Sequence, residues 1–154
     1  MKKKLFFLLT LLVCCVGQVW GASASYTLVT DASSLKSGDV IVIGCSSKST
    51  AASAMGTSKF LNSVSATFKD DVLTADGAIE ITLSGGADGW TLTTSEGVIG
   101  TTAAKTMALG KGTTTWTISI DTDGTATISS TNSSYGRILY NVGSPRFLNY
   151  SSAT

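Results

Sequence analysis

Carboxylates, hydroxyls and lysines carry whatever chemistry this chain can do, because its 154 residues contain no histidine. That excludes Ser-His-Asp and Cys-His nucleophiles and histidine-built zinc sites. Ser33-Ser34-Leu35-Lys36 matches the Ser-x-x-Lys pattern of penicillin-interacting enzymes, but the partner motifs are missing and the chain is too short for that fold. Asp121-Thr122-Asp123-Gly124 resembles the start of a calcium loop. An EF-hand loop needs glycine at its sixth position and glutamate at its twelfth. Here glycine comes fourth and Asn132 stands twelfth, so the segment reads as a hairpin turn. Gly110-Lys111-Gly112-Thr113 lacks the leading glycine and the following helix of a phosphate loop, and reads as a turn.

A glycosidase needs two positioned carboxylates. Asp70, Asp71, Glu80, Asp88 and Glu96 all sit in turn-like or alternating contexts that solvation explains. The chain is therefore expected not to be an enzyme, and no cofactor or metal is expected. What remains is recognition. Sugar rings stack on exposed aromatic rings while polar neighbours hold the hydroxyls. Trp90 and Trp116 run in phase with Leu92 and Ile118 and are assigned to the core. Tyr135, Tyr140 and Tyr150, near Asn132, Asn141 and Asn149, are the surface candidates for a ligand platform.

The elements that must position these residues begin after an N-terminal leader. Lys2, Lys3 and Lys4 form a positive head, and Leu5 to Val16 is apolar apart from Thr10. Ala22-Ser23-Ala24 follows as a small-x-small site. This is the pattern of a secretory signal peptide. The apolar run is shorter than the roughly 20 residues a membrane span needs. Cleavage is expected after Ala24, with Gly21 or Ala22 as alternatives. The chain then divides into residues 1–24, the signal peptide, and residues 25–154, one β domain that is secreted or held in the cell envelope, with no transmembrane span once the signal is removed.

The remaining 130 residues keep eight Lys/Arg and all ten Asp/Glu, so they are near neutral. No basic patch for nucleic acid is present. Cys45 is the one cysteine outside the leader and reads as a small buried hydrophobe. Ser and Thr supply 43 of the 130 residues, a composition suited to exposed sheet faces and turns.

Short alternating runs, not helical periodicity, mark the elements. Tyr26–Thr30 is the first strand. Leu35–Asp39 is a turn feeding Val40–Cys45, whose continuous apolar stretch predicts a strand covered on both faces. Ser46–Ser58 is weakly patterned and reads as a long loop or irregular edge. Lys59–Leu61, Val64–Phe68, Ala78–Leu83, Trp90–Thr93 and Gly97–Gly100 are further strand candidates. In the hairpin Thr115–Ser130, a two-residue turn would put the two apolar sets on opposite faces. A three-residue loop, Thr122-Asp123-Gly124, sets Ile120 opposite Ala126 and Ile118 opposite Ile128. Because side chains alternate, only the second register buries one face, with Gly124 at positive φ. Arg137–Asn141 and Arg146–Tyr150 close the chain.

Such spacing predicts an all-β domain: a small antiparallel barrel of β-trefoil-like type, suggested by the two Trp-led strands, or alternatively a β-sandwich. Three stretches carry a family resemblance: Tyr26–Thr30 with Leu35–Ile43; Trp116–Ile118 with Asp123–Ile128; and Arg137–Asn141 with Arg146-Phe147. On these the chain resembles an uncharacterised β module of secreted, often multidomain, proteins of gut Bacteroidetes. Such modules continue into a final apolar strand. Here Ser151-Ser152-Ala153 follows Tyr150, so the resemblance implies that the last strand is lacking or that one sheet edge is open to self-association.

The reading reached from sequence is a secreted non-catalytic β module that binds a glycan or an envelope protein. The alternative is a structural spacer or assembly domain of a larger surface protein.

Overall fold

The computed structural model describes residues 23–151 and the backbone of residues 5–10. Of the expected cleavage residues, Ala22 lies outside the described residues, and Ala24 is exposed at the head of the second strand. The described residues form an all-β, antiparallel structure of fourteen strands. In chain order these are β1 (Leu5–Thr10), β2 (Ala24–Leu28), β3 (Val40–Cys45), β4 (Thr50–Ala52), β5 (Ser63–Lys69), β6 (Val72–Ala75) and β7 (Ile81–Gly86), followed by β8 (Gly89–Thr94), β9 (Gly97–Ala103), β10 (Thr106–Leu109), β11 (Thr115–Ile120), β12 (Ala126–Ser130), β13 (Arg137–Asn141) and β14 (Arg146–Tyr150). Among the described residues no helix is long and apolar enough to cross a membrane.

The sheet runs β1-β2-β6-β5-β4-β3-β7-β8-β11-β12-β13-β14, with β9 on β8 and β10 on β9. It is not closed into a barrel. Tight turns set the local pairs. Asp70 and Asp71 join β5 to β6, both with positive φ (51° and 62°). Two successive left-handed residues match the right-handed twist of the flanking strands, which is why this turn makes a hairpin.

The β11–β12 hairpin has the register that alternation demands. Ile120 pairs with Ala126 and Ile118 with Ile128. Asp121 N–H donates to the Thr125 carbonyl (2.9 Å) and Gly124 N–H to the Asp121 carbonyl (2.9 Å), and Gly124 has φ 79°. Trp116 is fully buried on the same face, its indole N–H donating to the Ile99 carbonyl at 2.9 Å. Trp90 stands opposite it and is also buried.

β3 divides the interior. Ile41, Ile43 and Cys45 belong to a large apolar cluster that includes Trp90, Trp116, Ile128 and Phe147. Val42 belongs to a smaller cluster with Tyr26, Ala51, Ala66, Leu73 and Ala75. Both faces of β3 are therefore covered, as its unbroken apolar run implies. Cys45 is buried, its Sγ 3.5 Å from Ser47 Oγ.

Two expectations change. Residues 46–58 are not a plain loop: Thr50–Ala52 forms β4 between β3 and β5, and Ala51 and Ala52 are fully buried. Alanine is too small to show an apolar pattern, yet it fits where neighbouring strands approach closely. Leu61, in turn, forms an isolated bridge to Phe147 and not a strand with Lys59 and Phe60.

Candidate binding site

The tyrosine and asparagine residues expected to form a surface platform gather on β13, β14 and the turn before them, but much of the group lies inside. Tyr140 and Tyr150 are buried, and Asn149 has no exposed surface. Asn149 Nδ2 donates to the carbonyls of Ala103 (2.8 Å) and Tyr135 (2.7 Å), tying β14 to the end of β9 and to the turn before β13. Asn141 Nδ2 donates to the Tyr150 hydroxyl (2.7 Å), while its Oδ1 accepts from Ser144 N–H in the β13–β14 turn (3.1 Å). Asn132 Oδ1 accepts from Ser134 N–H (3.1 Å), capping a single 3-10 turn that ends at the half-buried Tyr135. The assignment of Tyr140, Tyr150 and Asn149 to the surface is therefore corrected. β14 is covered on both faces, so Phe147, Leu148, Asn149 and Tyr150 are buried in succession and alternation no longer separates inside from outside.

A polar cleft of about 590 Å3 opens beside β2 instead, lined by Tyr26, Ile79, Glu80, Thr82, Thr93 and Ser95 among others. The Tyr26 hydroxyl donates to Glu80 Oε1 at 3.1 Å. Burial, then the negative charge of Glu80, then this hydrogen bond push the phenol up from its ordinary value of 10.0 to about 12. Glu96, at the neighbouring β8–β9 turn, points elsewhere. Its two oxygens accept from Met55 N–H (2.7 Å) and Gly56 N–H (2.9 Å). Thr94 fixes that turn by accepting from Glu96 N–H (3.1 Å) and donating to the Gly97 carbonyl (3.0 Å). The cleft thus offers hydroxyls and one carboxylate for hydrogen bonding, with Glu80 and Glu96 committed to different partners.

The second feature is the lane between β2 and β3. β1 lies in it and pairs antiparallel with both neighbours. Leu8 stands opposite Leu28 and Leu9 opposite Thr27 on β2. On β3 the register runs without a break from Leu5 opposite Cys45 to Thr10 opposite Val40. Being antiparallel to the same strand, β2 and β3 run parallel to each other. Their outer sides are occupied, β2 by β6, and β3 by β4 at one end and β7 at the other. Leu28 N–H donates to the Asp71 carbonyl (2.8 Å), away from the lane. Backbone amides alternate sides along a strand, so Thr27 N–H faces it.

Sequence reading assigned Leu5–Thr10 to the leader alone. The signal was ambiguous for a physical reason: a strand covered on both faces and the apolar segment of a signal peptide are both unbroken apolar runs. No protein-family model, curated protein or solved structure matches this chain.

Proposed function

We propose that this chain is an exported, non-catalytic β module of the cell envelope, and that it works by holding a protein partner. One observation carries the reading. The strand between β2 and β3 is drawn from the segment that carries the signal-peptide pattern. Removal of residues 1–24 turns the inner sides of β2 and β3 into two facing edges with unpaired N–H and C=O groups, and such edges recruit another strand. The burial of Tyr140 and Tyr150 moves the weight from a stacked glycan towards a polypeptide. With the lane filled, the inserted strand would join β2 to β3 beside the Tyr26–Leu73 cluster, as β1 does. This is also the arrangement that an assembly domain of a larger surface protein would use, as the likeness to exported gut Bacteroidetes modules implies.

The test has two parts. Mass spectrometry of exported protein should find the N-terminus at or near Ser25. Hydrogen exchange on that protein should find Thr27 N–H and the lane-facing amides of β3 exchanging much faster than the β11–β12 amides. An intact N-terminus, or full protection of Thr27 and β3 in the mature chain by itself, refutes the reading.

The hydroxyl-lined cleft favours a second reading, a small glycan held by hydrogen bonds around Glu80. Glycan-array binding that Glu80→Gln abolishes would support it. Silence across the array removes it.

A further inference from the structure

Resting on that reading, we infer that the lane between β2 and β3 accepts an uncharged apolar strand from another protein chain, and that Leu5–Thr10 holds the place until processing. Geometry sets the first requirement. Paired strands lie about 4.7–4.9 Å apart, so removing one leaves its neighbours roughly 10 Å apart. β2 and β3 are anchored by β6, β4 and β7 on their outer sides, and run parallel. They cannot collapse into the antiparallel pairing used throughout this sheet. An incoming strand must run antiparallel to both, in the register β1 shows.

Burial sets the second requirement. Ile41, Val42 and Ile43 have no exposed surface, with Val42 in one apolar cluster and its two neighbours in the other. Residues set opposite them in the lane meet dry surroundings on both sides. A charge there would be desolvated with no partner, which is strongly unfavourable. The occupant is therefore an unbroken apolar run of about six residues, not an alternating one. The third requirement concerns its source. Among the described residues of the mature chain, every apolar run of that length already lies in a paired strand. No described residue of the mature chain is left to fill the lane.

The exported protein would be titrated with a synthetic peptide of the Leu5–Thr10 sequence flanked by lysines, and with the same peptide carrying Leu8→Asp or Phe7→Pro. Exchange at Thr27, Val42 and Gly44, whose amides face the lane, is read for each. At a free concentration a hundred times its Kd, the parent peptide should slow exchange at these amides roughly 100-fold. The Asp peptide should fail through desolvation and the Pro peptide through loss of a ladder N–H. Open amides that no peptide protects, or equal protection by the Asp peptide, overturn this inference while leaving the open-lane reading intact. Amides already protected without peptide overturn that reading itself. Protection that instead rises with protein concentration, unaffected by peptide, makes the occupant a second copy and overturns the inference. Should the mature chain fold only with the parent peptide present, the inference is supported. The uncleaved 1–154 chain supplies the remaining control: Leu8→Asp should expose Thr27 N–H and Leu8→Ile should not, and equal protection in both overturns the placeholder role.

Discussion

Gly136 should be far less replaceable than Gly124, and the surroundings of the two show why. Gly124 has φ 79°, and a Cβ built on it would lie 3.9 Å from Leu28 Cδ2, an ordinary contact. Gly124→Ala therefore incurs only the left-handed backbone cost of about 1–2 kcal/mol. Reduced freedom of the unfolded chain offsets about 0.4–1 kcal/mol of that, leaving a net loss of roughly 0.5–1 kcal/mol. Gly136 has φ 75° and ψ −152°, a region that glycine alone populates freely. A Cβ there would overlap the carbonyl of Tyr150 and crowd the amide of Ser151. The Gly136 carbonyl also accepts Ser130 N–H at 2.9 Å, so the segment cannot move away without breaking a pairing to β12. Strain of about 1–3 kcal/mol adds to overpacking of about 1–3 kcal/mol, for a total near 4 kcal/mol. Equilibrium urea unfolding of the mature protein, followed by the fluorescence of buried Trp90 and Trp116, measures both. With a slope of about 2 kcal/mol per molar urea, Gly136→Ala should lower the midpoint by roughly 2 M and Gly124→Ala by less than about 0.5 M. Equal shifts for the two variants would refute the argument that backbone overlap, and not positive φ alone, sets the cost.

Asn149→Ala should destabilise by about 2–4 kcal/mol in thermal unfolding, because it strands the buried carbonyls of Ala103 and Tyr135; a loss under about 1 kcal/mol would show that they find other partners. Glu96→Ala removes two charge-assisted hydrogen bonds and should cost about 1.5–3 kcal/mol, with faster hydrogen exchange at Met55 and Gly56 as its local signature. Ultraviolet titration should find Tyr26 ionising near pH 12, and Glu80→Gln should lower that value without restoring 10.0, since burial is the larger cause. Because the folded phenol ionises above its unfolded value, its contribution to stability is full below about pH 10 and declines as the pH rises through about 12. Tyr26→Phe should flatten that decline, and an unchanged alkaline profile would contradict the assignment.

Several elements were legible because one local rule decided them. The β11–β12 register followed from alternation, since one residue of slip would have turned Ile118 and Ile120 away from Ile128 and Ala126. The unbroken run at residues 40–43 announced a strand covered on both sides. Other elements left little trace. β4 is built from Thr50, Ala51 and Ala52, and β6 follows an Asp-Asp turn that lacks the usual glycine. Their strand character comes from neighbours contributed by distant parts of the chain, through pairs such as Ala51 with Val64 and Tyr26 with Leu73.

Sequence by itself determined the all-β class, the burial of both tryptophans and Cys45, and the absence of histidine chemistry, because each depends on composition or on a period of two. Only the tertiary structure decided where the tyrosines went. Tyr140 lies between Leu139 and Asn141 on β13, where the sequence does not say which face is covered, and Tyr150 lies on a strand that proved to be covered twice. Whether a strand is exposed depends on what surrounds it, and the edge of β14 away from β13 is taken by Leu61 and the β9–β10 turn, far away in sequence. The same holds for residues 5–10. Their composition says only that they leave water, and it took the positions of β2 and β3 to show a lane that an apolar strand fills.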